Sequence, residues 1–289
     1  MRELLKKLRS YEIRIRKAIN TQMQGDYHSI FKGSGLEFDD VRPYAYGDDV
    51  RHINWNVSAK GVGTYLKTFK EEKEQNIFFI LDVSASQEIG KEGQRKVDIG
   101  KQICGVLALS GIKENSSVGL LCFSDEKEKY IKPYKGAKHA YQLINALFTL
   151  QPRSSKTNLT KAISLGLSIL KRKSVIVLIS DFVDSKYERN LKAMGKKHDL
   201  IVIHISDERE TKFPRLGIVP LFDKEAKKTI WVNTSSSGFR QKLDKQYAQS
   251  SKELADLCHK IGANYLHINT QEDFVPQLIK LFKVRNRGK

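Results

Sequence analysis

Apolar residues along this chain follow two alternating patterns. Continuous runs at 77–81, 117–123, 175–180 and 200–205 have strand length, as expected of strands buried on both faces, and a last strand is expected at 264–268. Between and after them, apolar positions recur at helical spacing over about 92–113, 138–149, 158–172, 186–197, 238–261 and 272–283. Strand alternating with helix predicts an α/β fold, with a doubly wound, mainly parallel sheet flanked by helices. The segment Tyr130-Ile131-Lys132-Pro133 follows the second strand too closely for a crossover helix. It predicts an antiparallel edge strand, where the missing N–H of proline is tolerated. Leu221-Phe222 and Ile230-Trp231-Val232 predict a short hairpin.

The first 74 residues differ in texture from the rest. Leu4, Leu5, Leu8, Tyr11, Ile13, Ile15 and Ile19 alternate with basic side chains at broadly helical spacing. Such an amphipathic helix suits a membrane surface or, more simply, the flank of its own domain. From Thr21 to Lys70 neither period persists. Gly25, Gly33, Gly35, Gly47, Gly61 and Gly63 interrupt short segments dense in aromatic residues, among them Tyr27, Phe31, Phe38, Tyr46 and Phe69. This predicts a small β-rich appendage, joined by a polar connector, Glu71-Glu72-Lys73-Glu74-Gln75, to the α/β part. The expected division is 1–74 for helix plus appendage and 75–289 for the α/β domain.

Composition narrows the setting. Of 289 residues, 40% are hydrophobic and 29% charged, which describes a globular chain and excludes a disordered one. No apolar stretch approaches the ~18 residues of a membrane-spanning helix. The opening Met1-Arg2-Glu3-Leu4-Leu5-Lys6-Lys7 lacks the apolar core of a secretory signal, which makes the cytoplasm the expected location. Cys104, Cys122 and Cys258 have neither zinc-ligand nor redox spacing, and their odd number argues against a disulfide framework. The net charge of +18 favours acidic partners. The lysines are nonetheless dispersed, with no interleaved aromatics and no nucleic-acid motif, so specific nucleic-acid binding stays an alternative only.

Candidate chemistry lies at strand ends. Asp82-Val83-Ser84-Ala85-Ser86 directly follows the first buried run. Thr157 follows the polar stretch Arg153-Ser154-Ser155-Lys156, and Asp181 ends the third run. In an open parallel sheet the loops at the carboxyl ends converge, so three loops distant in sequence offer oxygens to one point. Thr157 can also act as a helix N-cap. Hard oxygen donors suit Mg²⁺ or Mn²⁺ rather than zinc. A site built from Ser84, Ser86 and Thr157, with Asp82 and Asp181 acting mostly through water, leaves Mg²⁺ short of negative charge. It therefore invites an outside Asp or Glu, which is binding chemistry rather than turnover.

This ordered set resembles the metal-ion-dependent adhesion site of von Willebrand factor A domains over roughly residues 75 to 285. The N-terminal part resembles a bacterial family, the domain-of-unknown-function family fifty-eight. That likeness rests on Gly35-Leu36-Glu37-Phe38, Val41-Arg42-Pro43-Tyr44, Gly47-Asp48-Asp49-Val50-Arg51-His52-Ile53-Asn54-Trp55 and Ser58-Ala59-Lys60. The signature residues are Arg42, Tyr44, Gly47, Asp48, Asp49, Arg51 and Trp55. Asn54 stands where the family pattern has Asp, and Gln87, outside the expected ligand set, where Met is frequent. The resemblance implies an adaptor or chaperone-like partner of a MoxR-type AAA+ ATPase. The metal's coordination would be completed by a carboxylate from the ATPase, a client or a second copy of this chain.

Enzymatic readings are weaker. The chain has neither a G-x-x-x-x-G-K-[ST] phosphate loop nor a G-x-S-x-G nucleophile elbow. An aspartyl phosphohydrolase built on Asp82 is the nearest rival, but Ser84 stands where such enzymes need a second Asp as acid/base. Arg42, Asp48, Asp49 and Arg51 read as charge-assisted bonds tying the appendage to the sheet. His52 reads as packing beside Trp55, and none of the histidines has metal-ligand spacing.

Overall fold

The structure is a computed structural model that describes residues 2–20, 35–59, 63–72, 75–210, 212, 214–223 and 228–287. The sequence readings at Gly25, Tyr27, His28, Phe31, Gly33, Lys60, Gly61, Lys73 and Glu74 lie outside the described residues. The chain opens with helix α1 (Arg2–Asn20), strand β1 (Gly35–Pro43), a short helix α2 (Trp55–Ser58) and strand β2 (Tyr65–Glu72). The α/β part runs β3 (Asn76–Asp82), α3 (Lys96–Lys113), β4 (Ser117–Phe123), β5 (Lys127–Tyr134), α4 (Ala137–Thr149) and α5 (Leu159–Ile169). It continues with β6 (Val175–Ser180), α6 (Glu188–Lys197), β7 (Asp199–Ser206), β8 (Ile218–Asp223) and β9 (Lys228–Asn233). It closes with α7 (Ser237–Lys260), β10 (Asn264–Asn269) and α8 (Phe274–Arg287).

Six strands form one sheet in the order β10-β7-β6-β3-β4-β5. All neighbours are parallel except β4 and β5, which pair antiparallel with Leu121 opposite Tyr130. The edge strand expected around Pro133 is therefore present and longer than the four residues read from sequence. Alternate side chains of β3 face opposite layers. Ile77, Phe79 and Leu81 enter a core with residues of α1, α3, α4 and α8, whereas Phe78 and Ile80 enter one with residues of α5, α6 and α7. This two-sided burial explains why the strands read as unbroken apolar runs.

Close approach of α3 to the sheet depends on glycine. A Cβ at Gly100 would lie 2.7 Å from Leu81 Cδ1, inside any tolerable contact. On its outer face, α3 receives α1. Leu8 is fully buried in the main core, and Glu12, also buried, pairs with Lys113 at 2.6 Å. Leu4, Leu5 and Tyr11 of α1 also pack against this core, whereas Ile13 is exposed. Glu71 and Glu72, read as connector, extend β2, where they pair with Leu36 and Gly35.

His198, between α6 and β7, carries a cost of another kind. It is buried, and among the described residues neither ring nitrogen has a hydrogen-bond partner. Burial, with the neighbouring charge of Lys197, pushes its pKa from 6.5 down to about 4. The unfolded chain takes up this proton below 6.5 while the folded chain resists it to about 4, so the stability contribution is lost as pH falls through that window. His198→Phe is expected to stabilise the protein by about 1–3 kcal/mol at neutral pH by removing the unsatisfied nitrogens. The margin over wild type should widen in urea unfolding at pH 5.5; a margin that narrows in acid contradicts this assignment.

Candidate metal centre at the carboxyl edge of the sheet

From β3 the chain moves outward through β4 and β5 on one side, and through β6, β7 and β10 on the other. The order reverses between β3 and β6, the place where an open α/β sheet leaves a crevice for ligands. Asp82 ends β3, and Asp181 follows the last residue of β6. Both side chains are buried.

A continuous path of oxygens joins them. Asp82 Oδ1 accepts from the Ser84 amide at 3.0 Å, and Oδ2 accepts from the Ser180 hydroxyl at 2.7 Å. Ser84 Oγ lies 3.1 Å from Ser86 Oγ, and the Ser86 hydroxyl helps to hold the Asp181 carboxyl below its usual range. Asp82, Ser84, Ser86 and Asp181 are thus brought together. Thr157 lies on the adjoining loop. The Ala85 amide donates to Ser155 O at 3.0 Å, and the Asn158 amide to Ser124 O at 3.2 Å, so both flanks of Thr157 are tied to the strand-end loops. Thr157 is not the N-cap of α5. Asn158 takes that position, its side chain accepting from the Lys161 amide at 2.8 Å, because its short amide carbonyl reaches back into the first turn.

Several site residues were not legible in the sequence. Lys96, at the first position of α3, is fully buried and places its ammonium 2.7 Å from Asp181 Oδ2 and against Glu210. Its signal was register: Lys96 shares a helical face with Gly100, Ile103 and Leu107, which makes it a charge in the buried stripe. Glu128 on β5 accepts from the amides of Arg153 and Ser154 at 2.9 and 3.0 Å, fixing the loop that carries Thr157. Asp184 accepts from the Leu159 amide at 2.7 Å, at the N-terminus of α5. Phe182 adopts φ 56, a left-handed conformation unusual for a bulky residue, and packs near Tyr187 and His204. Gln87, outside the expected ligand set, is buried and directs Nε2 to Asp82 Oδ2 and Ser86 Oγ, each at 3.4 Å. A 3₁₀ turn from Ala85 to Glu88 folds it back over the cluster.

The two carboxylates differ electrostatically. Burial, then the charge of Asp181, pushes Asp82 up to about 7. Burial also acts against ionised Asp181, but the charge and hydrogen bond of Lys96 outweigh it and hold that carboxyl below its usual range. Among the described residues no salt bridge reaches Asp82. A desolvated carboxylate with no cationic partner, flanked by two hydroxyls and facing a second carboxylate, is a donor set that fits a hard divalent cation.

The signature segment forms a separate cluster. Arg42 grips Asp48 through two bonds of 2.8 and 2.6 Å, and Asp48 also accepts from the Ala45 amide. Arg51 pairs with Asp49 at 2.7 Å. These pairs close within the appendage and do not tie it to the sheet as expected; partners two and six residues apart meet at little loop-closure cost. Gly47, at φ 102, makes the intervening turn. Tyr44 donates its amide to Thr64 O at 2.8 Å, across the mouth of the hairpin. Trp55 is 69% exposed and His52 is exposed too, so the pair does not pack away from solvent. A second exposed apolar surface lies on the hairpin after β7, where Ile218, Phe222 and Trp231 share one face.

Among the described residues no helix is long and apolar enough to cross a membrane. Cys104, Cys122 and Cys258 are free and buried.

Known proteins extend these observations. Residues 40–253 match the model of a family described as protein of unknown function DUF58. An uncharacterized protein of Mycobacterium tuberculosis is 23% identical over 284 residues, which cover 97% of this chain and 89% of that relative. Among solved structures, the conserved hypothetical protein BatB from Bacteroides thetaiotaomicron is similar at 13% identity and a TM-score of 0.46, covering 74% of this chain and 98% of that one. The VWA domain of SpRpn10 is similar at 14% identity and a TM-score of 0.39, over 72% of this chain and 93% of that domain.

Proposed function

The chain belongs to the DUF58 family, and on that premise we propose that it is a non-enzymatic, divalent-metal-dependent protein-binding adaptor or chaperone-like module. The observation that carries this reading is the largely buried grouping of Asp82, Ser84, Ser86 and Asp181 at the switch point of the sheet, with the two serine hydroxyls 3.1 Å apart. Ser84, Ser86 and Thr157 would hold Mg²⁺ or Mn²⁺ directly, with Asp82 and Asp181 beside it. The cation supplies an open coordination position for an Asp or Glu of the partner. The protein's own groups do the positioning: Glu128 and Asp184 set the Thr157 loop, and Ser180 orients Asp82.

Two further features support recognition of a protein. The chain carries a net charge of +18, which draws acidic partners. Apolar side chains stand exposed on the hairpin that follows β7, whose carboxyl end lies at the same edge as the site. The proposed partner is a MoxR-type AAA+ ATPase, or a client delivered to it, in the cytoplasm; buried free cysteines suit that compartment. Pull-down from native lysate is expected to recover the ATPase, with recovery falling in EDTA and with Thr157→Ala. Recovery unchanged by both treatments contradicts metal-dependent binding.

A further inference from the structure

Lys96 is costly where it stands. It opens α3, where the helix dipole disfavours a cation, and its side chain is fully buried. What holds it is a pair of carboxylates, Asp181 on the site side and Glu210 on the far side. Glu210 is itself fixed, its Oε2 accepting from the Asp207 amide at 3.0 Å. Both oxygens of Asp181 are therefore engaged, Oδ2 by the ammonium at 2.7 Å and Oδ1 by the Val183 amide at 3.2 Å.

From this geometry, and resting on the metal-site reading above, we infer that Lys96 is an internal cation that competes with the divalent ion for Asp181, and that Glu210 is the anchor restraining it. An ammonium fixed against Asp181 removes one unit of negative charge from the site and repels a dication placed beside Asp82. The bare site then binds metal weakly, and an added carboxylate from a partner restores the missing charge. Lys96 is a positioning and affinity-setting residue; it is not a ligand.

The test is Mn²⁺ affinity of the full chain by electron paramagnetic resonance, with thermal unfolding in EDTA to verify folding. Lys96→Met is expected to tighten Mn²⁺ binding about tenfold or more. Because three buried carboxylates without a cation can prevent folding, Lys96→Met/Glu210→Gln serves as the second variant. It restores the formal charge of the wild-type cluster yet frees Asp181, and it too should bind more tightly than wild type. Lys96→Arg keeps the charge and should bind as wild type does. Glu210→Gln releases the ammonium wholly onto Asp181 and should weaken binding. Equal affinity in wild type and the double variant, or tighter binding by Glu210→Gln, overturns the role of Lys96 and leaves the metal site standing. Absence of Mn²⁺ binding in every folded variant overturns the site and this role together. Without added carboxylate, binding by the double variant well below the concentration at which wild type binds supports a site masked by Lys96.

Discussion

Replacing Asp181 by alanine is expected to destabilise the metal-free protein by about 3 kcal/mol, whereas Asp82→Asn should leave it as stable as wild type, or more so, at pH 7.5. Both residues end neighbouring strands and face the same cluster, so a purely steric account predicts similar losses. The charge distribution separates them. Asp181 compensates a fully buried ammonium, and its loss leaves Lys96 with Glu210 alone. That remaining partner sets the expected loss at the low end of the range for breaking a buried pair. Asp82 compensates nothing; burial and the adjacent Asp181 push it up to about 7, so its ionised form costs stability.

The sign follows from linkage. The folded chain holds the Asp82 proton up to about 7, while the unfolded chain releases it near 3.8, so this group's stabilising contribution is full below 3.8 and lost as pH rises through 7. Asparagine keeps an acceptor for the Ser84 amide, and the Ser180 hydroxyl can turn to accept from its amide. Urea unfolding in EDTA checks both substitutions; equal losses would falsify the division of roles.

Leu8→Ala should cost about 2–5 kcal/mol, the range for emptying a buried leucine site. Leu8 is fully buried on the inner face of α1, and a Cβ at Gly105 would come within 2.9 Å of its Cδ1. The contact makes a second prediction of opposite sign in the two backgrounds. Gly105→Ala should destabilise wild type by crowding Leu8. In the Leu8→Ala protein it should recover part of the loss, because the new methyl enters vacated space and alanine favours the helix. Chemical denaturation of the four proteins completes the cycle. Additive effects would show that α1 does not dock on α3 through this contact.

The parallel sheet was legible because burial on both faces writes itself as unbroken apolar runs, as at Ile77–Leu81 and Val175–Ile179. Strand ends follow from those runs, so Asp82 and Asp181 were placed by the same signal. The site's supports were not legible, since each works across a long sequence separation. Lys96 meets Asp181 from 85 residues away, and Glu128 meets Ser154 from 26. Polar side chains carry no periodic mark of such pairings. Gln87, outside the expected ligand set, reaches the cluster for a local reason: the 3₁₀ turn after Ser84 brings it over Asp82. In the appendage, the alternation of acids and arginines signalled ion pairs correctly. It did not reveal that Arg42–Asp48 and Asp49–Arg51 close on themselves.

The most direct measurement for the account as a whole is Mn²⁺ titration followed by electron paramagnetic resonance, with acetate supplying the outside carboxylate. Wild type, Asp82→Asn and Thr157→Ala are compared, each verified as folded. The account predicts saturable loss of the free Mn²⁺ signal with wild type, enhanced by acetate and abolished or severely weakened in both variants. Indistinguishable titrations for wild type and Asp82→Asn would contradict it.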